Sequence, residues 1–147
     1  MVIYLNIGTN LGDREANLGL AVALVSERLG RVLRRSAIFH SKPWGFASQN
    51  DFLNLAIAVE PAEALAPLEI LDCTQAIERQ MGSASHRDSN GAYIDRLIDI
   101  DIMAIDTIPE FSHPRLTLPH PHIPDRDFFR IPLEEILVGN AHDGKMP

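Results

Sequence analysis

The segment Ile98-Asp99-Ile100-Asp101 places two carboxylates two residues apart inside an apolar, period-two run, LIDIDIMAID, that starts at Leu97. In a strand, residues i and i+2 point the same way, roughly 6.6 Å apart along the backbone. Two carboxylates so placed repel by about 2 kcal/mol at an effective dielectric near 20. A hard divalent cation beside them turns that repulsion into binding, and magnesium takes one or two carboxylates together with phosphate oxygens and water. Arg96 precedes the pair, where a guanidinium can grip phosphate through two parallel hydrogen bonds. The same pattern also fits an exposed sheet face carrying two solvated aspartates and a salt-bridged arginine, because acid and apolar residues commonly alternate in half-buried strands.

A second constellation is basic and proline-rich: RLTLPHPHIPDRDFF, residues 115–129, holds Arg115, His120, His122 and Arg126, then Phe128 and Phe129. No thiolate and no third histidine in a zinc-binding spacing accompanies His120 and His122, so a zinc site is not supported. Arginines with a histidine suit polyphosphate, because guanidinium forks bind charge without titrating. A surface loop stiffened by prolines is the plain alternative. A third segment, SKPWGFASQNDFLN, combines a Pro- and Gly-shaped loop with Trp44, Phe52 and Asn54, types that stack on a flat heterocycle and hydrogen-bond its edge. Equally, Trp44 could be a lid over the core.

Other chemistries are excluded by what is missing. There is no GxxxxGK[ST]; GTNLGD near the start lacks the lysine and the glycine spacing of a P-loop. Neither GxGxxG, a kinase signature set nor a nucleophile elbow is present. Cys73 is the single cysteine, with no basic neighbour in the sequence to activate it, and a chain with one cysteine forms no internal disulfide and suits a reducing compartment. Net charge is −7 over 147 residues, which argues against a broad nucleic-acid surface and requires that any bound phosphate be neutralised locally. No apolar run approaches the roughly 20 residues that span a bilayer, and the N-terminus does not read as a secretory leader. A cytoplasmic protein with no membrane, nucleic-acid or obligatory protein partner is expected.

The elements that must position these groups follow from periodicity. VIYLNIG, residues 2–8, is apolar on both faces and predicts a central strand. Leu18, Ala21, Val22 and Val25 recur at helical spacing from about Asp13 to Leu29, with Gly30 closing the helix. Residues 31–40 and 52–60 read as strands. Pro61 and Pro67 bracket the entry to a second helix ending near Gly82, with Leu68, Leu71, Thr74, Ala76 and Ile77 available to pack inward. A polar loop, SASHRDSNGAYIDR, precedes the acidic strand, whose alternation puts Ile98, Ile100, Ile102 and Ala104 on one face and Asp99, Asp101 and Met103 on the other. A short helix is expected near Asp127 to Leu137. The order strand, helix, strand, strand, helix, strand predicts an α+β, ferredoxin-like βαββαβ sandwich in one domain, residues 1–147. Helices lie on one face of its antiparallel sheet and the ligand site on the other.

Several separated segments, IGTNLGDREANL, KPWG followed by DFLNLAIAVE, IERQMG, DRLIDIDIM and LTLPHPHIPDRDFF, together resemble 6-hydroxymethyl-7,8-dihydropterin pyrophosphokinase of folate biosynthesis over nearly the whole chain. The resemblance implies transfer of pyrophosphate from ATP to the hydroxymethyl group of 6-hydroxymethyl-7,8-dihydropterin. Two Mg2+ ions would be held by Asp99 and Asp101. It implies a pterin between Phe52 and Phe128, beside Asp99, its edge read by Asn54 and by groups around Ser41, Lys42 and Trp44. Arg96, Arg115, His120 and Arg126 would take the triphosphate, and Gln75, Glu78, Ile102 and Thr117 would line the nucleotide pocket. This chain departs from better-known members in the loop after Gly82, where His86, Arg87 and Tyr93 are the candidates for closing the site, and in Pro121, where a tyrosine often follows the histidine. A ferredoxin-like binding module without catalysis, or a metal-dependent nucleotidyl-transferring domain, are the alternatives.

Overall fold

The computed structural model describes residues 1–41, 51–82 and 97–138. Its elements are β1 (Ile3–Thr9), α1 (Arg14–Arg28), β2 (Arg31–Arg35), β3 (Phe39–Ser41), β4 (Phe52–Glu60), α2 (Pro67–Gln80), β5 (Asp99–Ile105), β6 (Phe111–His113), β7 (Leu116–Leu118) and α3 (Asp127–Val138). The main sheet runs β2-β4-β1-β5, with β3 also paired to β4, and all its pairings are antiparallel. With β2 and β3 as two pieces of one broken edge strand, this is the ferredoxin-like order. β1 is central, as its two apolar faces predict.

Alternation makes the two sheet faces chemically different. Ile3, Leu5 and Ile7 of β1, Leu53, Leu55, Ile57 and Val59 of β4, and Ile100 and Ile102 of β5 share one core with Leu18, Ala21 and Val25 of α1 and Ile70 and Ile77 of α2. Each of the Val, Leu and Ile side chains contributes about 1.5–3 kcal/mol on burial. Helix α1 starts at Asp13, whose carboxylate accepts from the Ala16 N–H at 3.1 Å, and α2 starts at Pro67, with Glu69 accepting from the Ala66 N–H at 2.9 Å. On α2 it is Ile70, not Ala76, that joins Thr74 and Ile77 in the buried stripe.

Three features differ from the expectation. Residues 31–40 form two short strands, because Ser36 leaves the ladder: its N–H donates to the Ala56 carbonyl and its hydroxyl accepts from the Ala56 N–H, both at 2.9 Å. In β5 the register shifts by a bulge. Leu5 faces Ile102 and Tyr4 faces Ala104, so Met103 is the extra residue and Ala104 lies on the face of Tyr4, leaving Ile105 to rejoin the isoleucine face opposite Ile3. Third, α3 covers part of the sheet face opposite α1 and α2. Phe129, Leu133 and Ile136 pack there on Ala56, Ala58 and Met103 in a second core, so the helices do not all lie on one side. The proline-rich segment also contains a hairpin, β6–β7, turned at Pro114-Arg115.

Two glycines bear on stability in opposite directions. A Cβ on Gly30 would lie 2.4 Å from the Glu60 carbonyl oxygen, a backbone atom that cannot step aside, whereas one on Gly19, mid-helix in α1, would meet nothing within 4 Å. Gly19→Ala should therefore stabilise by about 0.5–1 kcal/mol through helix propensity. Gly30→Ala should destabilise by about 2 kcal/mol or more, as overpacking does. Urea denaturation of both variants checks the pair, and equal midpoints would contradict it.

Candidate active site

The face that α1 and α2 leave uncovered carries two rows of side chains across three strands. Gly8 of β1 lies between Asn54 of β4 and Asp99 of β5, and Asn6 lies between Ala56 and Asp101. Asp99 and Asp101 thus share one face of β5, as their spacing predicts, and Oδ1 of Asp99 is a buried atom. Gly8 has no side chain for a reason of space: its Cβ would stand 2.9 Å from Asn54 Oδ1 and 3.7 Å from the Phe52 ring. Asn54 Nδ2 donates to Ser41 Oγ at 2.9 Å, and Phe52 pairs with Ser41 across β3–β4. Ser41, Phe52, Asn54 and Gly8 therefore form a compact floor in which the Asn54 amide packs closely over Gly8.

Phe128 and Phe129 stand at the rim, in the first turn of α3. Their rings meet edge to face at 4.8 Å, and Phe129 meets His120 in the same way at 4.8 Å. The guanidinium of Arg126 lies 5.5 Å from the Phe129 ring centre. Phe129 is buried and so holds Phe128, His120 and Arg126 together from beneath.

Beyond the edge of β5 lies a cavity of about 380 Å³ between α2 and the β6–β7 hairpin. Gln75 and Glu78 of α2, Asp101 and Ile102 of β5, Arg115 and Thr117 of the hairpin, and His120 all line it, with Leu71, Ile100 and Leu116 as apolar walls. Glu78 is 6% exposed and its Oε2 accepts from the Ile100 N–H at 2.7 Å, so α2 supplies a hydrogen-bond acceptor to the outer edge of β5. Arg115 donates to Asp72 Oδ1 at 2.8 Å and to Gln75 Oε1 at 3.2 Å. Asp101 belongs to both the sheet face and this edge cavity. The candidate site is therefore not confined to the open face: it continues around β5, because the hairpin hangs outside that strand.

Of the residues singled out in the sequence, Asp99, Asp101, Gln75, Glu78, Ile102, Arg115, Thr117 and His120 gather around β5. Ser41, Phe52, Asn54 and Phe128 gather at the floor and rim, and Arg126 stands beside Phe129. Lys42, Trp44 and Arg96, and the loop residues His86, Arg87 and Tyr93, lie outside the described residues. Asn6 and Gly8 are functional candidates that periodicity does not reveal, since both sit in a strand that reads simply as core. Among the described residues no group of three or more His, Cys, Asp or Glu side chains forms a metal cluster. Two hard-oxygen carboxylates with room for phosphate and water suit magnesium rather than zinc.

The backbone of His120 donates to the Met103 carbonyl at 2.8 Å, and its Nδ1 accepts from the His122 N–H at 3.1 Å. That acceptor role assigns the ring proton to Nε2. Burial, then Arg126 and His122, lower the pKa of His120 to about 4. The ring is thus a neutral hydrogen-bond donor at physiological pH. In the unfolded chain the same residue titrates near 6.5. Between those values the unfolded state binds the extra proton, so the contribution of His120 to stability is complete above about pH 6.5 and is lost as pH falls towards 4. His120→Asn should accordingly show a shallower loss of stability between pH 6.5 and 4 than the unsubstituted protein, measured by urea denaturation at stepped pH. Parallel slopes would contradict the assignment.

Comparisons with known proteins identify the family. The family model for 7,8-dihydro-6-hydroxymethylpterin-pyrophosphokinase (HPPK) matches residues 4–138. A protein of Porphyromonas gingivalis (strain ATCC 33277) named 2-amino-4-hydroxy-6-hydroxymethyldihydropteridine pyrophosphokinase is 42% identical over 135 residues, covering 92% of this chain and 90% of its own length. One of the same name from Bacillus subtilis (strain 168) is 34% identical over 136 residues, covering 92% and 77%. Among solved structures, Plasmodium falciparum HPPK-DHPS with SDX-DHP superposes with a TM-score of 0.67 at 16% identity, over 92% of this chain. The chain spans only 39% of that longer protein, and at this identity the likeness speaks for the fold. With the family model covering all but the ends, and relatives matched over most of their length, the chain belongs to the 7,8-dihydro-6-hydroxymethylpterin-pyrophosphokinase family.

Proposed function

We propose that the protein transfers the pyrophosphoryl group of ATP to the hydroxymethyl oxygen of 6-hydroxymethyl-7,8-dihydropterin, giving AMP and the pterin pyrophosphate, a step of folate biosynthesis in the cytoplasm. One observation carries this reading: Asp99 and Asp101 stand where the amide-and-glycine floor meets the edge cavity that Arg115 and His120 line, between the places suited to a flat heterocycle and to a nucleotide.

The pterin lies on Gly8 with its edge toward Asn54 and Ser41, between the rings of Phe52 and Phe128; Lys42, Trp44 and Asp99 complete its surroundings. The nucleotide enters the edge cavity, its base against Leu71 and Ile102 within reach of Gln75, Glu78 and Thr117. Its phosphates extend toward Arg115, His120, Arg126 and Arg96. Asp99 and Asp101 would hold two Mg2+ ions, which would offset the charge of the triphosphate. The hydroxymethyl oxygen attacks the β-phosphorus, the bond from that phosphorus to the bridging α,β-oxygen breaks, AMP leaves, and the hydroxyl proton passes to solvent. His120 donates its Nε2 hydrogen to a phosphate oxygen without transferring it. Catalysis then consists of positioning and electrostatic neutralisation, with no covalent enzyme intermediate.

Incubation of the protein with ATP, Mg2+ and the pterin, followed by chromatography of nucleotides, should yield AMP in an amount equal to pterin pyrophosphate and dependent on both metal and pterin. ADP would mean ordinary phosphoryl transfer, and no turnover by folded protein would favour a binding module. Asp99→Ala and Asp101→Ala should each lower the rate by about 10³-fold or more, while metal-free stability stays equal or rises, because like-charge repulsion is relieved. A variant that unfolds without magnesium would oppose this. Phe128→Ala should weaken pterin binding by about 10-fold, in keeping with the worth of an aromatic stack, and leave ATP binding within about twofold, by isothermal titration calorimetry.

A further inference from the structure

Asn6 is 1% exposed, and its Nδ2 donates to the backbone carbonyl of Phe128 at 2.9 Å, joining residues 122 positions apart. It lies on the site face of the central strand, one row from Gly8 and beside Asp101. An asparagine is an uncommon choice at so buried a position of a central strand, with the apolar Ala56 beside it in β4. Its partner explains it. In an α-helix the carbonyl of residue i receives the N–H of residue i+4. For Phe128 that residue is Pro132, inside α3, and proline has no N–H. The helix thus turns the Phe128 carbonyl over to a donor from outside, and Asn6 is that donor.

We propose that Asn6 is a positioning residue of the pterin site: by clamping the Phe128 carbonyl to the sheet it sets the separation between the Phe128 ring and the floor at Gly8 and Asn54. This rests on the stacking role given to Phe128 above. The ring is held on one side by the edge of Phe129 and through its backbone by Asn6, so loss of the clamp lets the first turn of α3 shift relative to β1 while the rest of the helix stays anchored by Leu133 and Ile136. The nucleotide cavity, built from α2, β5 and the hairpin, does not include Asn6 or Phe128.

The test uses the full-length protein and calorimetric titration with the pterin and with MgATP separately. Asn6→Leu, similar in size but with no donor, should raise the pterin Kd about tenfold and change the MgATP Kd by less than about twofold; a buried carbonyl deprived of its donor costs on this scale. The double variant Asn6→Leu/Pro132→Ala returns an intrahelical N–H to the Phe128 carbonyl and should recover most of the lost pterin affinity. It also keeps the test informative if the single variant folds poorly. In a Phe128→Ala background Asn6→Leu should add nothing further, because the two act as one unit. If Phe128→Ala weakens pterin binding but Asn6→Leu does not, or if both ligands weaken equally with no rescue by Pro132→Ala, the positioning role is wrong while the stacking role stands. If Phe128→Ala leaves the pterin Kd unchanged, the stacking reading fails and the inference falls with it.

Discussion

Burial of one face of the sheet against α1 and α2 is the constraint on which the rest depends. The side-chain period of a strand is two, so a slip of one residue in β5 would exchange Ile100 and Ile102 for Asp99 and Asp101 in the core. That slip would cost both apolar burial and the placement of two charges in a low dielectric, several kcal/mol at the least. The isoleucines therefore hold the carboxylates outward. A site whose chemistry depends on two aspartates in fixed relation takes its precision from residues that touch no ligand, and Ile3, Leu5 and Ile7 of β1 perform the same service for Asn6 and Gly8.

The outer edge of β5 is the second organising feature. An edge strand presents N–H and C=O groups that invite wrong pairing. Here the Ile100 N–H is taken by the Glu78 carboxylate and the Met103 carbonyl by the His120 N–H. The edge is thereby covered, and the same two bonds bring α2 and the segment after the hairpin to opposite ends of the acidic strand. The cavity forms between them. Glu78 thus serves structure first. Its carboxylate is committed to the backbone, and whatever it offers a nucleotide comes through lone pairs that this bond leaves over.

How much of this is legible in the sequence depends on the range of the forces involved. β1, β4, β5 and the two long helices follow from periodicity because each buries a face along its own length. The paired aspartates are legible for the same reason. The break between β2 and β3 is not, since it turns on bonds from Ser36 to Ala56, twenty residues away. Nor is the hairpin, whose three-residue strands are too short for a period to show and whose turn is Pro-Arg rather than an Asn-Gly type. The bulge at Met103 is set by β1, and the covering of the open face by α3 depends on Phe129, Leu133 and Ile136 finding Ala56 and Ala58, small residues in a strand that otherwise reads as uniformly apolar. Asn6 and Gly8 acquire meaning only once register places them beside Asp101 and Asp99.

Electrostatic economy links the fold to the proposed reaction. The chain carries a net charge of −7, and the acidic strand adds two charges where a polyanion would bind, so cations must be supplied locally. Arg115 is one candidate, and it donates to Asp72 and Gln75. Both partners of that ion pair are substantially exposed, 45% and 65% at their side chains, and such pairs contribute only about 0–1 kcal/mol. The contact therefore joins the hairpin to α2 without fixing Arg115 strongly, which suits the phosphate-binding part proposed for it. His120 answers the same demand differently. A charged imidazolium beside Arg126 would have to be desolvated and to bear like-charge repulsion; the neutral ring kept by its surroundings still has a hydrogen to donate from Nε2. In the proposed reaction a charge held by a weak surface pair would thus act beside a fixed dipole, and contacts to α2, β5 and Phe129 position both.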